Sequence, residues 1–253
     1  MNYYNELDPK IAAWLRQLIA EGHIPEGEVD ERSIEDVRPG DLAGFTQCHF
    51  FAGIAGWSYA LDLAGWPRNE RVWTGSCPCQ PFSEAGEGDG FADERHLWPA
   101  WQHLIAQCRP PIIFGEQVAG KASELWIDLV HADLENMDYA FGCIPFPSAS
   151  IGAPHTRDRN YWTAADSRSF GSSRQGIASS IGTGGQGRPD WALDMRAILD
   201  SPYAPGFSHP QPLLRRMDDG FPESLVGLRG YGNAINPHQA AEFICATVEA
   251  IAA

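Results

Sequence analysis

Short apolar runs separated by helical or turn-rich stretches constrain the fold of this chain most strongly. The apolar runs are residues 48–51, 72–74, 112–115 and 139–144. Segments with the 3.6-residue apolar period of a helix lie at 57–65, 95–107 and 121–137. This alternation is typical of a mostly parallel sheet covered by helices. We therefore predict an α/β fold.

Helices are also predicted near both ends of the chain. Apolar residues from Ile11 to Ile19 share one helical face, Pro9 suits the first turn and Gly22 suits the end. Residues 237–252 carry the same period and are expected to return to the core. Residues 166–190 are rich in Ser and Gly, so we expect a surface loop, either plain or ordered by a partner.

Length and cysteine usage narrow the class of protein. A chain of 253 residues suits one α/β domain with a small appended region. No apolar run reaches the roughly 18 residues of a membrane span, and the N-terminus lacks the basic start of a signal peptide. Six scattered cysteines without a Cys-x-x-Cys pair predict reduced thiols and no metal site. We expect a cytoplasmic protein without membrane contact.

The charge distribution is uneven. With 33 acidic and 18 basic residues the formal charge is −15, which by itself counts against binding to phosphates. Acidic residues crowd positions 1–41, however, whereas nine arginines lie between positions 157 and 229. A local basic face is compatible with an acidic body, so nucleic acid stays a possible partner.

The segment Gly75-Ser-Cys-Pro-Cys-Gln-Pro-Phe-Ser83 carries the clearest chemical signal. It follows a predicted strand and precedes the glycine-rich stretch 84–91. A thiol just past a strand end, beside a loop that could close over a substrate, suits nucleophilic catalysis. Taken alone, this segment fits a buried inert cysteine better.

Pro78-Cys79-Gln80 resembles the Pro-Cys-Gln signature of the DNA cytosine C5-methyltransferases of bacterial and phage type, in which the cysteine is the nucleophile. Other segments resemble further motifs of this family in the family's order. They are the glycine-rich turn Phe51-Ala-Gly-Ile-Ala-Gly56, Glu116-Gln117-Val118 for Glu-Asn-Val, Gly152-Ala-Pro-His-Thr-Arg-Asp-Arg159 for Arg-x-Arg, and Gly232-Asn-Ala-Ile235 for the closing Gly-Asn motif. The glycine-rich turn alone would be weak evidence, but the set is specific.

The chain departs from the family pattern in three ways. Ala55 stands where the family usually has Gly, and its methyl group is expected near the methionine part of the donor. Gln117 stands where the family usually has Asn. Only about 28 residues separate Phe51 from Cys79, roughly half of what the family's second and third strands require.

We predict that these two strands have moved to the front of the chain. Asn5-Glu-Leu-Asp-Pro9 resembles the family's second-strand segment, and residues 33–42 resemble the stretch around its third strand. The order along the chain is then strand two, strand three, strand one and the nucleophile strand. Rewired surface connections leave the sheet itself unchanged. The alternative is that residues 1–45 form only an acidic helical cap.

The resemblance implies a Rossmann-like sheet that binds S-adenosylmethionine, with helices on both faces and a small, loop-rich target-recognition region. It also implies the residues that contact this donor. They are Phe51, Gly53 and Gly56 at the methionine part, Glu6 at the ribose, Ile34 at the adenine and Asn233 at the far side.

The resemblance further implies the chemistry. The Cys79 thiolate adds to C6 of cytosine while Glu116 hydrogen-bonds N3. Arg159 is the candidate that holds O2, and Arg157 supports it. Methyl transfer to C5 then yields 5-methylcytosine and S-adenosylhomocysteine.

Double-stranded DNA is the implied partner of a monomeric enzyme in a bacterial or phage-infected cell. The target base has to leave the stack, and the loop 83–95 would close on it. We predict a catalytic core at 1–164, a reduced target-recognition region at 165–228 and a segment at 229–253 that returns to the core. The predicted DNA contacts are Gln80, Ser83, Arg95, Arg215 and Arg216.

Alternatives remain open at this point. A defective donor pocket would favour deamination or another C5 modification through the same adduct. A non-catalytic DNA-binding relative and an RNA methyltransferase of the same fold are also compatible with these motifs. Restriction protection, phage self-protection and gene regulation would all use the same residues.

Overall fold

The fold is seen in a computed structural model that describes residues 1–78, 97–151, 157–168 and 234–252. Its strands are β1 (Asn2–Asn5), β2 (Gly27–Asp30), β3 (Gln47–Phe50), β4 (Val72–Gly75), β5 (Ile112–Val118), β6 (Tyr139–Pro145) and β7 (Arg159–Asp166). The helices in these ranges are α1 (Pro9–Ala20), α2 (Gly56–Leu63), α3 (Trp98–Cys108), α4 (Lys121–Asn136) and α5 (Pro237–Ala252).

The described strands form one sheet in the order β2-β1-β3-β4-β5-β7-β6. β1 to β5 pair in parallel, and β7 runs antiparallel to both β5 and β6. Helices cover both faces of the sheet. The predicted α/β fold is therefore confirmed.

The N-terminal strands are integral to this sheet. β1 pairs with β2 on one side and with β3 on the other, in a register that aligns Asn5 with Asp30 and with Phe50. The two strands that precede β3 in the sequence thus lie beside it in the sheet, as the predicted transposition requires. An acidic helical cap does not describe this segment.

The prediction for the third-strand segment was placed too far along the chain. The strand is Gly27–Asp30, and two 3-10 turns, Ile34–Asp36 and Pro39–Leu42, follow it. Ser33 caps the first turn, and Pro39 begins the second, because proline suits the first position of a helical turn.

Two cores lie on opposite faces of the sheet. Neighbouring residues of β1 point to different faces, so Tyr3 packs toward α3 and α4 while Tyr4 packs toward α1. A cluster of buried tryptophans fills the α3 and α4 side, and α5 packs with α2 on the other side. Because all these contacts converge on the central strands, the carboxyl ends of β1, β3, β4 and β5 are held next to one another.

Helices α1 and α2 lie on the same face. Leu15 of α1 packs against Tyr4, and the Tyr4 hydroxyl is hydrogen-bonded to Ser58 of α2 at 3.1 Å. The β1-α1-β2 crossover runs toward one edge of the sheet, and the β3-α2-β4 crossover runs toward the other. Two crossovers that run in opposite directions over one face have opposite hands. Since connections between parallel strands are almost always right-handed, one of these two is an exception. The transposed order therefore changes a connection and keeps the strand positions.

Gly115 in the central strand β5 is predicted to tolerate no side chain. A Cβ at this position would overlap the indole ring of the fully buried Trp162. We expect Gly115→Ala to lower the free energy of unfolding by about 1 to 3 kcal/mol, measured by urea denaturation, because overpacking forces neighbours to move. The control is Gly142→Ala, where the nearest side-chain atom, Thr163 Cγ2, would lie 3.8 Å away. Equal stability losses in the two variants would contradict this packing account.

Candidate active site

The site begins at the turn between β3 and α2. Phe51, Gly53 and Ala55 all have positive φ angles, of 52°, 53° and 67°, which turn the chain sharply after the strand. The amide of Gly53 donates a hydrogen bond to Oε2 of Glu6 at 2.8 Å, across 47 positions of the sequence. The other carboxylate oxygen of Glu6 accepts from the Asp8 amide at 3.0 Å. Glu6 is thus fixed against the glycine-rich turn.

A cavity of about 350 Å³ opens beside this turn. Its volume falls in the usual range of small-molecule sites. Its wall includes the predicted donor residues Glu6, Ile34, Phe51, Gly53 and Gly56. Asn233 lies outside the described residues, but Ala234 and Ile235, which follow it, line the same cavity.

The cavity also contains residues that the sequence analysis missed. Leu7, Arg32, Trp57 and Leu97 line it, as does Asp8. Leu7 could have been found from the sequence, because it directly follows Glu6, the predicted ribose-binding residue. In the structure its side chain is 63% exposed. Arg32 gave no sequence signal, because its ion pairs to Asp30 at 2.7 Å and Asp41 at 3.0 Å depend on the fold.

The Ala55 methyl group does not point where the sequence analysis placed it. Ala55 is 2% exposed, packs with Tyr4, Leu15 and Ile24 in the core under α1, and is not part of the cavity wall. The expected contact with the methionine part of the donor is therefore wrong. Gly56, by contrast, is required for close approach, since a Cβ there would lie 2.7 Å from Cγ1 of Ile235.

Glu116 lies near the carboxyl end of β5 and is 5% exposed. Burial raises the pKa of its carboxyl group, and the charges of Arg159 and Arg157 and a hydrogen bond with Ser76 oppose that rise in part. Burial is the largest of these causes, so the net shift of the pKa is upward. Glu116 is consequently biased toward the protonated form.

Arg159 opens β7 beside Glu116. Its Nε atom lies 2.5 Å from Oε1 of Glu116, and its side chain is 13% exposed. Neither of these two atoms has a hydrogen-bond partner of suitable alignment among the described residues. Buried polar atoms that keep bonding capacity are expected where a ligand completes the network.

Arg157 supports the same region from a different direction. Its guanidinium donates a hydrogen bond to the carbonyl of Ala234, and burial lowers its pKa. Because its charge acts on Glu116, it belongs to the same electrostatic group as Arg159. It also ties β7 to the segment that leads into α5.

The nucleophile segment reaches the inner end of the cavity. Ser76 and Pro78 line it, and the buried Cys77 lies between them. Cys79 follows directly but lies outside the described residues, as do the predicted DNA contacts Gln80, Ser83, Arg95, Arg215 and Arg216. The cavity therefore extends from Glu6 to the residue before the predicted nucleophile.

Four of the described cysteines, Cys48, Cys108, Cys143 and Cys245, differ from a catalytic thiol. Burial raises the pKa of Cys48 to about 12 and that of Cys143 to about 11. Burial also raises the pKa of Cys108 and Cys245. Protonated thiols are poor nucleophiles, so these positions are unsuited to covalent catalysis.

The described ranges contain no group of three or more His, Cys, Asp or Glu side chains that could hold a metal ion. No helix in them is both long and apolar enough to cross a membrane.

Comparison with known proteins confirms the resemblance. Residues 66–175 match the family described as C-5 cytosine-specific DNA methylase. Type II methyltransferase M.AplI of Arthrospira platensis is 30% identical over 105 residues, which cover 41% of this chain and 30% of that protein. Type II methyltransferase M.HhaI of Haemophilus parahaemolyticus is 23% identical over 165 residues, covering 50% of each chain. This chain thus spans half or less of the length of these relatives.

Among solved structures, the Dnmt2 methyltransferase of S. pombe is similar with a TM-score of 0.49 and 14% identity, over 99% of both chains. The Spodoptera frugiperda DNMT2 mutant E260A/E261A/K263A is similar with a TM-score of 0.42 and 18% identity, over 64% of this chain and 41% of that one.

The raised pKa of Glu116 predicts a pH-dependent stability difference. A carboxyl group whose pKa is higher in the folded than in the unfolded state contributes stability below the unfolded pKa and loses it as pH rises through the folded pKa. The free energy of unfolding is compared between wild type and Glu116→Gln. Wild type should lose stability relative to this variant as pH rises from about 4 to about 8. Urea denaturation across this range measures it. A difference that grows with pH would show that the Arg159 ion pair outweighs burial.

Proposed function

We propose that this chain, whose residues 66–175 match the C-5 cytosine-specific DNA methylase family, methylates C5 of cytosine in DNA with S-adenosylmethionine as donor. The observation that carries the proposal is the cavity between Glu6 and Pro78. It joins the glycine-rich turn to the backbone just before Cys79 and includes Ser76, a hydrogen-bond partner of Glu116. The candidate donor site, the backbone that leads into the predicted nucleophile and a buried acid thus lie at one end of the sheet.

The residues that line the cavity suit the three parts of S-adenosylmethionine: its ribose, its adenine and its methionine part. S-adenosylmethionine, when bound, supplies an electrophilic methyl group on a sulfonium. Glu6 accepts hydrogen bonds from the two ribose hydroxyls, since a carboxylate offers about four acceptor positions and the Gly53 and Asp8 amides occupy two. Leu7 and Ile34 provide apolar surface for the adenine. Phe51, Gly53 and Gly56 border the methionine part, and Asn233 closes the far side.

The position of Glu6 favours methylation over the deaminating alternative. Hydrolytic deamination or another modification of the adduct would be preferred if the donor pocket were incomplete. The Glu6 carboxylate lies 2.8 Å from the Gly53 amide, however, so the transposed strand brings its acid to the turn where the donor is needed. This contact supports a complete pocket.

The cytosine is activated by covalent addition. The Cys79 thiolate forms a bond to C6, and the electron density moves toward N3, where protonated Glu116 donates a hydrogen bond. Arg159 donates to O2, and Arg157 holds the neighbouring backbone through the Ala234 carbonyl. Bound S-adenosylmethionine would supply the methyl group that C5 takes up, with S-adenosylhomocysteine as the leaving group. A base removes the C5 proton, the C6–S bond breaks, and 5-methylcytosine and S-adenosylhomocysteine are released.

The state of Glu116 suits this role. Its pKa is raised by burial, and its Oε1 atom has no aligned hydrogen-bond partner among the described residues. A protonated carboxyl group can donate to N3, which an ionised one cannot. The Arg159 guanidinium, paired with Glu116 through its Nε atom, supplies a second donor.

Double-stranded DNA is the proposed partner. The target base has to be flipped out of the duplex at a cost of a few kcal/mol. We assign the closing contacts to Gln80, Ser83 and Arg95, and the phosphate contacts to Arg215 and Arg216. Residues 165–228 would then form the target-recognition region on a core at 1–164, completed by 229–253.

Cytosine methylation that depends on Cys79 is the first expected outcome. Purified protein is incubated with S-adenosylmethionine and mixed-sequence duplex DNA, and every cytosine is read by modification-sensitive sequencing. We expect 5-methylcytosine in one short context with wild type and none with Cys79→Ala, because removal of the thiol removes the nucleophile. Cys245→Ala, at a thiol outside the cavity wall, is the matched control and should retain activity. Unmodified cytosine or uracil in the wild-type reaction would refute the proposal.

Donor affinity is expected to depend on Glu6. Glu6→Ala removes an acceptor for the ribose hydroxyls, and hydrogen bonds to charged groups contribute about 1.5 to 3 kcal/mol, so affinity for S-adenosylhomocysteine should fall roughly 10- to 150-fold. Isothermal titration calorimetry measures it. Glu28→Ala, at an exposed side chain of β2, is the control and should bind normally. If both variants bind as wild type does, the donor lies elsewhere.

A further inference from the structure

The backbone just before Cys79 is held by an amide side chain. Nε2 of Gln117 donates a hydrogen bond to the carbonyl oxygen of Cys77 at 3.0 Å. Oε1 of the same side chain accepts from the Val118 amide at 2.9 Å. Gln117 is 4% exposed and Cys77 is 2% exposed, so water competes little for either bond.

These two hydrogen bonds of the Gln117 side chain, here called the Gln117 bridge, lie just beyond the point where the backbone pairing of β4 and β5 ends. The ladder between β4 and β5 aligns Thr74 with Phe114 and Gly75 with Gly115, and it stops there. If the register continued, Cys77 would stand opposite Gln117. The Gln117 side chain therefore replaces a ladder hydrogen bond two residues beyond the last paired position.

The preceding residue is held from a different side. The Ser76 hydroxyl accepts a hydrogen bond from Nε1 of Trp57 at 3.2 Å, and its interaction with the Glu116 carboxyl group opposes the rise of that group's pKa. Ser76 and Cys77 are thus linked to consecutive residues of β5. Trp57 belongs to the cavity wall, so the same short segment contacts the donor site.

We propose that Gln117 is a positioning residue, which fixes the Cys77 carbonyl and thereby sets the place from which Cys79 attacks the base. This inference rests on the proposed function. Misplacement of a reacting group by about 1 Å can reduce a rate 10²-fold. An asparagine side chain, which is one methylene shorter, would reach about 1.5 Å less far toward the Cys77 carbonyl. The longer glutamine side chain spans this distance.

Gln117→Glu tests the bridge with almost no change in shape. The ionised carboxylate still accepts from the Val118 amide, but it cannot donate to the Cys77 carbonyl and repels it. Because burial can raise the pKa of a Glu carboxyl group to roughly 8 to 9, the measurements are made at about pH 9, where this group is ionised. The matched control is Gln47→Glu. Gln47 is also buried and also donates its amide N–H to a backbone carbonyl, that of Pro67 at 3.4 Å, but at the opposite end of the sheet.

Three quantities are measured on the full chain. The first is the rate at which the protein forms a covalent adduct with a duplex that contains 5-fluorocytosine in the methylated context, in the presence of S-adenosylmethionine. The second is the dissociation constant for S-adenosylhomocysteine. The third is hydrogen–deuterium exchange of the peptide that includes residues 75–78.

We expect Gln117→Glu to form the adduct at least tenfold more slowly, with a donor dissociation constant within about twofold of wild type. Exchange at residues 75–78 should be faster in this variant alone, and Gln47→Glu should match wild type in all three measurements. A Gln117→Glu variant with the wild-type adduct rate overturns the inference, as does an equal loss of rate in both variants.

Failure of the proposed function gives a different result. In that case wild type itself forms no adduct with any duplex. The exchange measurement then decides the bridge alone: faster exchange at 75–78 in Gln117→Glu supports it, and unchanged exchange overturns it.

Discussion

The hydrogen bond between Glu6 and the Gly53 amide is the contact on which the site depends. It is 2.8 Å long and joins the first strand of the chain to the turn after the third. Without it, the Glu6 carboxylate would not be held against the glycine-rich turn. The bond forms because β1 pairs directly with β3, which brings the carboxyl ends of both strands to one place. Parallel α/β sheets bind ligands at this edge for the same reason.

The strand positions are preserved although the chain visits them in a different order. β1 and β2 come first in the sequence and extend the sheet beyond β3, while α2 leads from β3 straight into β4. This explains the short interval between Phe51 and Cys79. The change is confined to connections, and it leaves two crossovers of opposite hand over one face. Packing of α2 against α5 and the hydrogen bond between Tyr4 and Ser58 hold α2 on this face.

The sequence predicts much of this fold because its periodic segments agree with the final packing. Lys121–Asn136 and Pro237–Ala252 follow their apolar periods almost residue for residue. β1 was harder to recognise, since it begins and ends with asparagines that are buried only through partners 45 and 27 positions away, Gln47 and the Arg32 carbonyl. The orientation of Ala55 could not be predicted either, because a positive φ turns its methyl group into the core. The Gln117 bridge depends on where a strand ladder ends, which no local pattern records.

A crystal structure of the protein with S-adenosylhomocysteine tests the central claim most directly. The account predicts that the ribose hydroxyls lie within hydrogen-bond distance of the Glu6 carboxylate. It also predicts that the sulfur lies at the Ser76 and Pro78 end of the cavity. A ligand bound elsewhere, or a ribose without contact to Glu6, would contradict the conclusion that the transposed N-terminal strands rebuild the donor site.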